Sequence, residues 1–224
     1  MILTNRLFRR EPPSREAKSI YIFCEGAKRE QQYFQYFREM DSRINLRIYE
    51  LHPHEDNSPS GLLDIAKKCI IENDSNPNPE YSMFEDDEVW IVLDTDKDKL
   101  ESRKPQIKQI RDFCKNQNNW FVAQSNPCFE VWLYYHHSSE KPVFENSDKC
   151  GGWKKIVNES IKGGFDPRKH PLYIEEATRN AENNFDSLND IPTVGSTEIF
   201  RLSKNMLPLV VSKVKAIKNE LNTQ

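Results

Sequence analysis

Residues 88–94 read EVWIVLD, an unbroken apolar run that stops on an aspartate. It is too short for a buried helix and too continuous for a strand with one wet face, so it reads as a strand covered on both sides. Three further runs have strand character: 19–24 (SIYIFC), 44–51 (INLRIYEL, which alternates) and 120–123 (WFVA). Between them lie segments with helical spacing. Residues 29–40 place Tyr33, Phe34, Phe37 and Met40 on one side, and Ser60 is positioned to cap a helix striped by Leu62, Leu63, Ala66 and Ile70. Residues 105–114 offer Ile107, Ile110, Phe113 and Cys114 as an inner face. Residues 127–136 are strongly apolar, with Pro127 suited to a first turn. Short strands alternating with helices give βαβ units, hence an α/β fold with a mostly parallel sheet.

From residue 138 onward no convincing strand remains. Segments around 153–161, 173–185 and 196–221 look helical, with Pro208 expected to kink the last. The expected organisation is a basic lead-in over 1–17, an α/β core over 18–137, and a helical C-terminal part over 138–224 packed on that core. A chain of 224 residues has room for one domain with such an appendage.

Composition narrows the class. Twelve Phe, eight Tyr and four Trp are too many for a disordered chain, although 30% of residues are charged. No apolar run approaches the ~18–20 residues that span a bilayer, and the opening residues lack a secretory pattern. Five cysteines without a C-x-x-C pair argue against a disulfide framework and a cysteine zinc site. A reduced, cytoplasmic setting is expected. The net charge of −3 conceals clustering: residues 80–98 hold eight acids against Lys97, whereas the lead-in carries Arg6, Arg9, Arg10, Arg15 and Lys18. Local clusters rather than net charge govern polyanion binding, so a nucleic-acid partner stays open beside the plainer reading of solvated faces.

In open parallel sheets, ligands gather beyond the carboxyl ends of the strands. The first strand ends in Cys24-Glu25-Gly26, the third in Asp94-Thr95-Asp96 and the fourth in Gln124-Ser125-Asn126. Hard divalent cations take oxygen ligands, commonly one or two carboxylates plus substrate phosphates, and Glu25, Asp94 and Asp96 would supply these. If the chain is still extended at the D-x-D, both acids leave on one face. Gly26 would allow close approach of a phosphate, and Glu30, one turn on, could reach back toward the same place. Acids at strand ends also cap following helices, and Asp98 reads equally well as a solvated group; spacing alone leaves both readings open. The chain has no G-x-S-x-G elbow, P-loop, dinucleotide fingerprint or H-E-x-x-H. His52 and His54 sit near a strand end, in a loop that could line the cleft.

Read together, IYIFCEGAKREQQYF, VWIVLDTDKD and SNPCFEVWLYYHH, followed by GGFDPRKH and PTVGSTEIFRL, resemble the RloB family over roughly residues 18–207. That resemblance implies a Toprim-like core similar to those of topoisomerases, primases and overcoming-lysogenization-defect nucleases. It implies a Mg²⁺- or Mn²⁺-dependent endonuclease with Glu25, Asp94 and Asp96 as metal ligands and catalytic residues, and Glu30 as a further ligand. Arg29 stands where the family usually has Thr. Lys169 is the candidate catalytic cation and Arg168 its rival. A bacterial anti-phage role beside an AAA-type ATPase is implied too, with RNA (tRNA included) or DNA as substrate and a homo-oligomer admitted. Arg9, Arg10, Lys28, Arg29 and Arg168 are the expected nucleic-acid contacts.

Glu130 lies in an apolar helix, where an acid is unlike its neighbours unless paired or coordinating. It is read either as facing the cleft or as a salt bridge to the helical tail. Asn126 is read as a helix cap and Cys128 as packing. The alternatives to the nuclease are a non-catalytic module that binds nucleic acid or the ATPase, and a phosphotransfer enzyme using the same carboxylates.

Overall fold

The computed structural model describes residues 8–26 and 28–222; Arg6 lies outside them. A five-stranded sheet in the order β2-β1-β3-β4-β7 organises the chain. β1 (Lys18–Cys24), β2 (Ile44–Tyr49), β3 (Glu88–Asp94) and β4 (Trp120–Asn126) are parallel, and β7 (Ser196–Thr197) joins β4 antiparallel. Helices α1 (Arg29–Gln35), α2 (Pro59–Ile70) and α3 (Leu100–Lys115) connect the parallel strands. Then come α4 (Glu130–Tyr134), α5 (Cys150–Ser160), α6 (Ile174–Asn183) and α7 (Ile199–Asn222), with a small β5–β6 hairpin (Ser187–Leu188, Ile191–Pro192) before β7.

The continuous apolar strands are explained by cores on both faces. Ile20, Ile22, Cys24, Trp90 and Val92 point into one, built with α1 and α4 through α7. Tyr21, Phe23, Val89, Ile91 and Leu93 point into the other, under α2 and α3. Alternate residues thus leave by opposite faces, yet none meets water. Side chains such as Phe23 and Ile91, fully enclosed, contribute about 1.5–3 kcal/mol each by burial.

Several expectations need correction. α1 stops at Gln35; the chain to Met40 continues as turns, with Glu39 at φ 60, but Phe37 and Met40 still point inward. Ser58, not Ser60, caps α2, its hydroxyl accepting from the Gly61 N–H at 3.2 Å with Pro59 following as the first helical residue. The helix expected over 127–136 is only α4. The Asn126–Pro127 bond is cis, and Pro127 precedes the helix. Asn126 is therefore no cap: it ends β4 and donates to the Pro192 carbonyl at 2.7 Å. The C-terminal part also holds strands, and β7 completes the main sheet; two residues are too short to register as a pattern. α7 is a single 24-residue helix with Pro208 inside it.

Candidate functional site

The sheet order places β1 beside β3, and their connections depart in opposite directions, to β2 and to β4. This is the switch point at which doubly wound sheets open a crevice. Glu25 follows β1 and Asp94 ends β3, so the two arrive there together. The Glu25 N–H donates to the Val92 carbonyl at 3.1 Å, and the Asp94 N–H donates to Glu25 Oε2 at 3.3 Å. A cleft of about 540 Å³ opens over them, lined also by Gly26, His52 and Glu55. His52, but not His54, is among its lining residues.

Glu30 does reach back. It is buried, and its carboxylate lies where a side chain on Gly26 would begin, about 2.1 Å from the Cβ position that glycine lacks. Glu130, also buried, receives Arg29 Nη1 at 2.7 Å. The Glu130 partner thus comes from the first turn of α1 and not from the helical tail. Enclosure by protein, then repulsion from Glu30, Glu25 and Glu130, holds the Asp94 pKa well above the usual carboxylate range. Burial followed by the charges of Glu130 and Glu25 raises that of Glu30.

Glu25, Glu30, Asp94 and Glu130 share one neighbourhood with two guanidiniums. Arg29 takes Glu130, and Arg103 takes Glu25, with Nη2 at 2.5 Å from Oε1. Glu30 and Asp94 have no cationic side chain paired with them among the described residues. This donor set fits a hard divalent cation in chemistry and in charge, since four carboxylates meet only two guanidiniums. As the side chains sit, however, no three His, Cys, Asp or Glu among the described residues form a ligand set. Arg103 holds one oxygen of Glu25, and Asp96 has turned away.

Asp96 shows why same-face D-x-D geometry fails here. The strand ends at Asp94, the N–H groups of Thr95 and Asp96 bind the carbonyls of Ser125 and Pro127, and Asp96 takes a left-handed conformation (φ 43). Its carboxylate lies 3.4 Å from Lys99 Nζ. Asp98 is exposed in the following 3-10 turn (Lys97–Lys99). Arg168 is folded onto Asp166 at 2.9 Å, and Lys169 acts on Asp166 and His170, not among the charges acting on Asp94 or Glu30. Arg10 pairs with Glu39 at 3.3 Å; Arg9 and Lys28 are exposed. Arg29, half-exposed, spends its charge on Glu130. Cys128 packs as expected, a buried free thiol beside the free thiol of Cys150. His136 sits in the aromatic core against Tyr33 at 3.0 Å, and burial pushes its pKa down to about 3, so it is neutral packing.

Compared with known protein families, residues 20–206 match RloB, described as RloB-like protein. The chain belongs to the RloB-like family. The match spans most of β1 through the first turns of α7, and so includes all four carboxylates of the cluster. No curated protein and no solved structure matches this RloB-like chain. No helix among its described residues is long and apolar enough to cross a membrane.

Sequence reasoning missed two features of this RloB-like site. One is Arg103, which had a signal: with Ile107, Ile110 and Cys114 it completes the i, i+4, i+7, i+11 stripe of α3 and is as buried as they are. A guanidinium on an apolar stripe requires a partner. The other is a buried relay behind the Asp94–Asp96 turn. Thr95 donates to the Ser125 carbonyl at 2.8 Å and accepts from Gln124 Nε2 at 3.0 Å; Gln124 Oε1 accepts from Arg111, which also binds Glu198 at 2.6 Å. Its members lie on four separate stretches of the chain, so no local motif marks it.

Proposed function

We propose that this RloB-like protein is a metal-dependent, Toprim-type phosphodiesterase that cleaves nucleic acid, RNA or DNA. The observation that carries this reading is the convergence of Glu25, Glu30 and Asp94 at the β1/β3 switch point, with neither Glu30 nor Asp94 in an ion pair among the described residues. Glu25, Glu30 and Asp94 would hold Mg²⁺ or Mn²⁺, with Asp96 the next carboxylate along. Such an ion, when bound, polarises a phosphate and lowers the pKa of a coordinated water. The chain's own residues do the rest. Glu25 is fixed by the Asp94 N–H and by Arg103, the Thr95 relay holds the turn that carries Asp94 and Asp96, and Glu130 orients Arg29 beside the cluster. The family resemblance adds a bacterial anti-phage role with a partner ATPase.

The test is incubation of purified protein with RNA and DNA oligonucleotides, with and without Mn²⁺. Cleavage that depends on Mn²⁺ and is lost in Asp94→Asn supports the reading; full cleavage by an Asp94→Asn, Glu25→Gln double variant ends it. A second reading, a non-catalytic Toprim-like module, draws on the Arg103–Glu25 pair, which neutralises a ligand without any ion. It expects nucleic-acid binding that survives removal of the acids.

A further inference from the structure

We infer that Arg103 and a divalent cation compete for the Glu25 carboxylate, so that this guanidinium keeps the ligand set apart until an ion displaces it. The inference rests on the metal-dependent reading above and goes beyond it by naming what fills the ligand's coordination in the ion-free protein.

Both oxygens of Glu25 are engaged. Oε1 receives Arg103 Nη2 at 2.5 Å, and Oε2 receives the Asp94 N–H at 3.3 Å. The second arm of Arg103, Nη1, is 3.4 Å from the Asp94 carbonyl, so the one guanidinium spans both strand ends that carry the acids. It is no surface contact: the side chains of Arg103 and Glu25 are 8% and 15% exposed. A guanidinium at this depth strongly favours keeping its carboxylate, because the alternative is an unpaired buried charge. A divalent ion bridging Glu25 to Asp94 and Glu30 would take the oxygen Arg103 now holds and would repel the guanidinium at close range. Arg103 and the ion therefore act as alternative counter-ions of one carboxylate.

Binding of Mn²⁺, followed by the electron paramagnetic resonance of the free ion, tests this with no reference to turnover. Arg103→Gln is expected to bind Mn²⁺ about ten-fold more tightly than the unaltered protein, with Arg103→Lys in between, since one unit of opposing charge has left the site. Equal or weaker binding by a folded Arg103→Gln, when the unaltered protein binds, overturns the competition and leaves the metal reading standing. Absence of Mn²⁺ binding in both proteins overturns the metal reading and the competition with it. Where Arg103→Gln does not fold, arginine side-chain nitrogen spectra of the unaltered protein decide. A slowly exchanging guanidinium signal that disappears on addition of Mg²⁺ is expected, and its persistence in the Mg²⁺-bound protein overturns the inference.

Discussion

Asp94, partly buried at the floor of the cleft, holds its carboxyl near three other acids, and the physics of that residue makes a prediction independent of any reaction. Its pKa is raised first by enclosure and then by Glu30, Glu25 and Glu130. Such a group binds its proton more tightly folded than unfolded, so it favours the fold below the ordinary carboxylate range, and that contribution disappears as pH rises through the folded value. Asp94→Asn removes the charge and keeps the shape. In the ion-free protein, Asp94→Asn should melt above the unaltered chain at neutral pH, by about 2–4 °C per kcal/mol of relieved repulsion in a chain of this size. The gap should close as pH falls below about 4, the ordinary aspartate value, where Asp94 is protonated in the folded and the unfolded chain alike. Thermal denaturation across pH checks this, and equal melting temperatures at neutral pH would contradict it. Glu25, Glu30 and Asp94 were legible in the sequence because strand ends carry chemistry in this fold class. Arg103 was overlooked because a basic residue in a charged helix looks solvated until its place on the stripe with Ile107, Ile110 and Cys114 is noticed.

Among the elements, β4 and its neighbours show how far periodicity reaches. The buried strands were legible from their apolar runs, and α2, α3, α5 and α6 from their spacing, to within a few residues. β7 was not, because two residues carry no pattern; its place depends on Ser125 and Asn126 of β4 facing Thr197 and Ser196. Glu198 follows directly, 3% exposed, and binds Arg111, Arg201 and the Gln124 N–H. Removing one partner of such a buried pair strands the other charge, at a cost of about 3–5 kcal/mol. Glu198→Ala should therefore lose about that much in urea denaturation, and Arg111→Ala a comparable amount. The double variant should lose clearly less than the sum, as members of one network do. Strict additivity would show that the two do not act as a unit.

At the scale of the whole molecule, the boundary expected at residue 137 separates two sequence patterns but not two cores. One apolar cluster runs from Ile20 to Ile217, with Trp132 of α4, Trp153 of α5 and Ala177 of α6 in the same packing. α7 is bound to the other end of the chain's core as well: Asn205 donates to Glu88, which also receives Lys18 at 2.5 Å, and Arg43 donates to the Leu209 carbonyl at 2.8 Å. A fragment covering residues 8–137 would expose the whole face of the sheet that α5, α6 and α7 cover. It should show no cooperative unfolding transition by calorimetry, whereas residues 8–222 should show one. A sharp transition in the fragment would mean that the tail is dispensable. The helical character of this tail was readable; its role as half of the main core was not, because burial against a distant partner leaves no local mark.

The relay from Thr95 through Gln124 and Arg111 to Glu198 has a consequence for genetics. The turn bearing two of the acids is braced by side chains up to a hundred positions downstream. A saturation screen for null alleles should accordingly return clusters at Gln124, Arg111 and Glu198 as dense as those at the acids themselves. A map of sensitive positions drawn along the chain would then look scattered, while the same map drawn in space would be a single patch.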